Sequence, residues 1–237
     1  MKKNLFIALF AITITLISCT KPEGEGGRNT IYGTVHYERY DHNNKRINIE
    51  KAVKERVYIV YGDNTSYGDD TDTYLDGKYS FDYLRKGEYQ ILAYEDCDTC
   101  DSDKKAVLES IELTKNNSTV EANLSLRKNV DVDDGFATLT GQVFTQQYVG
   151  GIASGTPYID EEQRVYIVYD TDSMHFDRVD TDANGFYRFP NLIMGNYRVY
   201  AYSGCETCGI NLIPKSASGS ITEKGEELVL DLTIEQH

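Results

Sequence analysis

An ungapped internal duplication constrains this chain more than any other feature. Asp180–Cys208 (DTDANGFYRFPNLIMGNYRVYAYSGCETC) repeats Asp72–Cys100 (DTYLDGKYSFDYLRKGEYQILAYEDCDTC) at an offset of 108 residues, and 13 of the 29 paired positions are identical. The same offset carries Arg56–Tyr61 (RVYIVY) onto Arg164–Tyr169 (RVYIVY), Gly33 onto Gly141 and Leu124 onto Leu232. A repeat of this length matches the common size of a domain, so the chain is expected to hold one unit written twice. The expected bounds are 30–126 and 138–237, joined by a charged connector at 127–137 (RKNVDVDDGFA).

The first residues read as an address. Lys2 and Lys3 precede the apolar run Leu5–Ile17 (LFIALFAITITLI). As a helix this run reaches about 20 Å, short of the ~30 Å hydrocarbon core, so it suits an export signal better than a membrane span. It ends in Leu16-Ile17-Ser18-Cys19, which resembles the lipobox of bacterial lipoproteins. That resemblance implies removal of residues 1–18 and attachment of diacylglycerol to the Cys19 sulfur. The expected location is then the bacterial envelope, at the outer membrane, on its surface or its periplasmic face. Residues 19–29 are polar and Gly-rich and read as a flexible lipidated tether. Lipidation at Cys19 also accounts for an odd count of five cysteines, leaving Cys97/Cys100 and Cys205/Cys208 as two local pairs.

Charge narrows the partners. The chain carries 24 Lys and Arg against 38 Asp and Glu, a net of −14 that becomes −16 once Lys2 and Lys3 are removed. Such a surface repels nucleic-acid phosphate, so a nucleic-acid partner is not expected.

Along each unit the pattern is that of strands. Ile31, Gly33, Val35 and Tyr37 alternate with more polar residues, and Val57–Tyr61 is rich in the β-favouring Val, Ile and Tyr. Glu38–Glu55 reads as a polar loop. Asp76-Gly77 and Asn184-Gly185 suit two-residue hairpin turns with positive φ at both central positions. Tyr79 and Phe81, then Tyr89, Ile91 and Ala93, alternate again before the CxxC, and strands near Val107–Leu113 and Val120–Leu126 close the unit. Seven short strands per unit, without sustained 3.6-residue periodicity, predict an all-β chain of two tandem antiparallel β-sandwiches. With seven strands that each reverse the last, the chain would enter one pole and leave at the CxxC pole, setting the units end to end.

The run T-D-x-N-G-x-Y-x-F-x-x-L-x-x-G-x-Y-x-V at Thr181–Val199 resembles carboxypeptidase regulatory-like domains and the B-type repeats of bacterial surface adhesins. Both belong to the transthyretin-like (prealbumin-like) sandwiches. The first copy keeps Thr73, Asp76-Gly77, Tyr79, Phe81, Leu84, Gly87, Tyr89 and Ile91. The resemblance implies a non-catalytic stalk, spacer or binding module, and no enzyme.

Three candidate chemistries follow. Cys97 with Cys100, and Cys205 with Cys208, are expected to close local disulfides outside the cytosol, with zinc or thiol-redox use as the alternative. Asp180, Asp182 and Asn184 begin a D-x-D-x-N-G run that resembles the head of a calcium loop, though Asn191 stands where an EF-hand needs its bidentate Glu. Calcium is therefore a candidate cofactor, and an acidic hairpin turn is the plainer account. Finally, Tyr58, Tyr94, Tyr166, Tyr200 and Tyr202 are expected to face outward if Val57, Ile59 and Ala93 face inward, and exposed aromatics beside acids can stack on carbohydrate. The expectation is a lipid-anchored binding, adhesion or spacer module that meets a protein or glycan at a distal pole formed by 148–160, 182–185 and 203–211.

Overall fold

The computed structural model describes residues 22–159, 162–204 and 212–237, and every regular element among them is a β-strand. Cys19, the export run, Cys205 and Cys208 lie outside the described residues. The first unit comprises β1 (Glu25–Tyr40), β2 (Arg46–Lys51), β3 (Arg56–Tyr61), β4 (Asp69–Asp72), β5 (Lys78–Leu84), β6 (Gly87–Asp96), β7 (Lys104–Leu113), β8 (Thr119–Glu121) and β9 (Leu124–Asn129). The second comprises β10 (Ala137–Val149), β11 (Ile152–Tyr158), β12 (Arg164–Tyr169), β13 (Asp177–Asp180), β14 (Phe186–Leu192), β15 (Gly195–Gly204), β16 (Leu212–Ile221), β17 (Glu227–Val229) and β18 (Leu232–Gln236).

Each unit is a sandwich built on one long strand. In the first, β1 carries β5 and β8 on its leading half and β2 and β9 on its trailing half. The facing sheet runs β4-β3-β6-β7. The second unit repeats the plan with β10 as the long strand, and a bridge between Gly204 and Gln236 joins its two sheets at one corner. Because β9 runs parallel to β1, and β18 to β10, the chain enters a unit at one pole and leaves at the other. The loop after β1 and the CxxC turn share that outgoing pole, where Asn129 binds both Asp96 and Asp98.

The alternation seen in the sequence becomes two separate cores, equivalent residue by residue. Ile31, Val35, Val57, Ile59, Tyr79, Phe81, Leu84, Tyr89, Ile91 and Leu126 fill the first. Leu139, Val143, Val165, Ile167, Tyr187, Phe189, Leu192, Tyr197, Val199 and Ile234 fill the second at the same offset. Each such side chain contributes about 1.5–3 kcal/mol when removed from water.

A glycine sits where the long strand changes partners. A Cβ at Gly33 would stand 1.7 Å from the Ala122 carbonyl oxygen, and one at Gly141 would stand 1.9 Å from that of Leu230. The Tyr79 hydroxyl donates to the Ala122 carbonyl and the Tyr187 hydroxyl to that of Leu230. Burial pushes both phenols well above their usual range. The break between β8 and β9 frees a β1 amide, and Asn123 accepts it from Thr34 at 2.7 Å; Asp231 does the same for Gln142 at 2.9 Å.

The structure departs from the sequence expectation in four places. Nine strand segments replace seven in each unit, because the closing strand splits around the carbonyl just described and because β2 lies inside the expected loop 38–55. The hairpin turns are not two-residue turns: only Gly77 (φ 77°) and Gly185 (φ 73°) take positive φ, and Gly77 N bonds Tyr74 O while Tyr74 N bonds Lys78 O. That is a three-residue loop with glycine at the left-handed position. Residues 22–29 are not a free tether, since Glu25 pairs with Leu84 and the Arg85 amide donates to Gly24 O at 2.9 Å. The connector 127–137 is likewise packed: Arg127–Asn129 finish β9, and Val130 and Val132 enter the second core. The Ile193 amide donates to Val132 O, the same bond one repeat later.

The two units are clasped through that connector. The Tyr169 hydroxyl donates to the Asp41 carboxylate at 2.8 Å, in a position where Asp41 is 3% exposed. Burial first, then this carboxylate, raises the Tyr169 phenol far above its usual value. Around it Lys45 pairs with Asp170 and His42 with Asp172, each at 3.0 Å, and Ile47 of β2 packs on the second core.

Two outcomes follow. Gly141→Ala should cost about 1–3 kcal/mol through forced displacement of the Leu230 carbonyl, read as a lower midpoint in urea, while the neighbouring half-buried Thr140→Ser, which keeps the hydroxyl bonded to Glu227, leaves the midpoint in place. Tyr169→Phe strands a buried carboxylate and should lower stability by about 1–3 kcal/mol in thermal unfolding.

Candidate functional site

Period-two geometry puts tyrosines on the outer face of the second sheet of each unit. In β3, Val57 and Ile59 point into the core, so Tyr58 between them points out; in β6, Ala93 points in and Tyr94 out. Tyr67, from the β3–β4 loop, completes the group. The Tyr58 and Tyr67 rings lie 4.3 Å apart, Tyr58 and Tyr94 meet edge-on at 6.0 Å, and the Tyr67 and Tyr94 hydroxyls are bonded. That bond, with some burial, pushes the Tyr67 phenol up to about 12.

The second unit carries a larger version. Tyr166 and Tyr200 are direct cross-strand partners and stack at 4.9 Å with an interplanar angle of 11°. Tyr202 meets them edge-on at 5.8 and 5.6 Å. His175, the repeat equivalent of Tyr67, sits 4.7 Å from Tyr166 and places Nδ1 3.3 Å from the Tyr200 hydroxyl. The guanidinium of Arg198 lies 5.7 Å from the Tyr200 ring centre. All five tyrosines expected on the outer face are thus there, gathered into two platforms. Tyr67 and His175 were not foreseen: both sit in acidic turns with no periodicity to report their direction.

Beside the first platform runs a groove of about 470 Å³, bordered by Tyr37, Tyr58 and Tyr94 with Glu55, Arg56, Asp96, Lys104, Arg127 and Lys128. Tyr37 donates its hydroxyl to Glu55, and burial together with that bond raises its phenol. Asp96 stays below the usual carboxylate range: burial pulls it up, but Lys104, the Asn129 amide and Lys128 more than offset that. The groove opens to solvent beside the platform.

The other sequence candidates fall elsewhere. Cys97 and Cys100 form a disulfide, with Cα atoms 5.5 Å apart, that clips the β6–β7 turn. These two thiols are therefore not free for zinc in this state. Asp180 is held by Arg164 at 2.7 Å, and Asp182 Oδ1 accepts the amides of Asn184 and Phe186 at 2.8 and 2.9 Å. Both carboxylates thus serve the hairpin, and among the described residues no group of three or more His, Cys, Asp or Glu is arranged to hold a metal ion. Of the expected distal pole, the structure brings Tyr148 against His237 at 5.0 Å, Tyr158 against Gln236 at 2.7 Å and Ser203 against Glu235 at 2.8 Å, while Gly185 lies near Ile159.

No protein-family model matches the chain, and no curated protein matches it. Among solved structures, it is similar to the minor pilin of Streptococcus agalactiae at 12% identity and a TM-score of 0.30, over 87% of this chain and 95% of that one. It is similar to the major pilin subunit of Bacillus cereus at 8% identity and a TM-score of 0.27, over 85% and 99%. A Bacteroides uniformis protein whose name carries a provisional carbohydrate-binding label matches at 9% identity and a TM-score of 0.27, over 83% and 100%. Likenesses this slight transfer no function.

Replacing Cys97 and Cys100 with Ser should cost no more than about 2 kcal/mol in unfolding, because so short a loop removes little chain entropy. The strand spectrum in circular dichroism should be unchanged.

Proposed function

We propose that this protein is a lipid-anchored envelope module that binds glycan chains without chemistry, through the tyrosine platforms of its two units. The observation that carries the reading is the repetition of the platform itself. Tyr58 and Tyr94 recur as Tyr166 and Tyr202, and none of the four fills a core. These rings pack on one another but not into a core, and a sugar ring offers C–H faces to such a ring and hydroxyls to its phenol. Two platforms on one chain would raise the hold on a polymer through effective concentration. The pairing of platforms with a rigid sandwich keeps their spacing fixed. Cys19 would supply the membrane attachment, with residues 22–29 docked on the first unit so that the units stand directly off their anchor.

The test is calorimetric titration of the whole protein with neutral galacto-, gluco- and xylohexaoses. At least one should bind, and Tyr166→Ala with Tyr200→Ala should weaken it by about tenfold or more, a loss of about 1.4 kcal/mol. Binding unaffected by removing both platforms would defeat the reading. Labelling with an alkynyl fatty acid, lost in Cys19→Ser, checks the anchor.

A further inference from the structure

The two platforms share their tyrosines but not their charges. Resting on the glycan reading above, we propose that the groove beside Tyr58 and Tyr94 binds an acidic glycan, its uronate carboxylates held by Lys104, Arg127 and Lys128.

In a chain of net −14, four cations converge on one groove against two carboxylates, Glu55 and Asp96. Those two carboxylates offset only part of that charge, and Arg56 is engaged separately by Asp70 and Asp72. Glu55 accepts the hydroxyl of Tyr37. Asp96 is shared, at 2.5 Å from Lys104 and 3.5 Å from Lys128, so one negative charge serves two ammonium groups. Arg127 has no carboxylate in ion-pair contact among the described residues; its Nε donates to the Asn129 side chain at 2.7 Å and its guanidinium lies 4.1 Å from the Tyr40 ring centre. The Asn129 and ring contacts hold the guanidinium in place without neutralising it, which leaves its charge available to an incoming anion.

The internal repeat supplies the control. At the offset of 108, Asp96, Lys104, Arg127 and Lys128 become Gly204, Leu212, Glu235 and Gln236. Only Arg56 persists, as Arg164, and both are engaged by hairpin carboxylates, Asp72 and Asp180. The second unit folds on the same plan without the other three cations, so the sandwich does not need them. At the Arg127 position the charge is reversed, and Glu235 is paired with Lys215 at 2.7 Å. Duplication kept the stacking surface and changed the electrostatics beside it, which is how one scaffold acquires two specificities.

The experiment titrates the whole protein with hexagalacturonate and hexamannuronate, each beside its carboxyl-reduced, uncharged counterpart. At least one acid form should bind tenfold or more tightly than its reduced partner, and that advantage should shrink as salt rises. Arg127→Gln, which breaks no ion pair, should remove most of the advantage; Lys104→Gln with Lys128→Gln should do the same, with an unchanged melting profile as the folding check. If reduced oligomers bind through the tyrosines and neither acid form gains over its partner, this inference is overturned while glycan binding stands. If acid forms gain but Arg127→Gln and the lysine pair leave the gain intact, the groove is not the site. If no oligomer binds at all, both readings fall.

Discussion

A single backbone carbonyl governs this architecture. Ala122 O in the first unit and Leu230 O in the second press so close to the long strand that only glycine fits beneath them, and a buried tyrosine hydroxyl donates to each. Without that approach the strand could not hand its hydrogen bonds from one pair of neighbours to another halfway along. The transfer leaves amides that would be unpaired, and Asn123 and Asp231 take them up. Once β1 and β10 serve both halves of their sheet, the inward and outward faces of the opposing strands are set. Tyr58, Tyr94, Tyr166, Tyr200 and Tyr202 then have no route inward.

The duplication reaches further toward the N-terminus than its matching letters suggest. Gly24 and Gly27 of the first unit occupy the places of Val132 and Gly135 in the second. Both Gly27 and Gly135 lie where a Cβ would meet the backbone of Leu84 or Leu192 at 1.9 Å. A leading segment therefore docks on the β5–β6 corner in one unit and on the β14–β15 corner in the other. In the first this segment is the N-terminal stretch ahead of the first unit; in the second it is the connector, which brings Asp41 and its loop against Tyr169. The equivalent Tyr61 covers Gly24 instead. One docking surface thus accepts two different guests, and the buried Asp41–Tyr169 bond fixes which pole of the first unit abuts the second.

On this scaffold, change has concentrated in the groove beside the platform. Cores match at equivalent positions because close packing penalises even a methylene of difference. The groove is under no such restraint, so Lys104, Arg127 and Lys128 could become leucine, glutamate and glutamine, and Asp96 glycine, without loss of the sandwich. On the same outer face Tyr67 is replaced by His175 and Leu92 by Tyr200, each an aromatic exchange or gain that packs on Tyr58 or its equivalent Tyr166.

How much of this was legible in the letters follows from where each residue is buried. Alternation reported the core strands and the outward tyrosines, because a strand that buries one face on its own unit shows a period of two. It was silent on β2, whose Ile47 packs on the other unit, and on Val130 and Val132, which read as part of a charged connector. It also misassigned the hairpin turn, since Asp-Gly and Asn-Gly fit both a two-residue loop and the three-residue loop that formed. By itself, then, the sequence determined the duplication, through matching letters at an offset of 108, and the all-β class and the direction of the tyrosines, through local period-two alternation. Only the tertiary structure decided that Tyr37, Lys104 and Arg127, far apart along the chain, border one groove with Tyr58. That convergence brings together four strands from both sheets of the sandwich, and no local pattern encodes it.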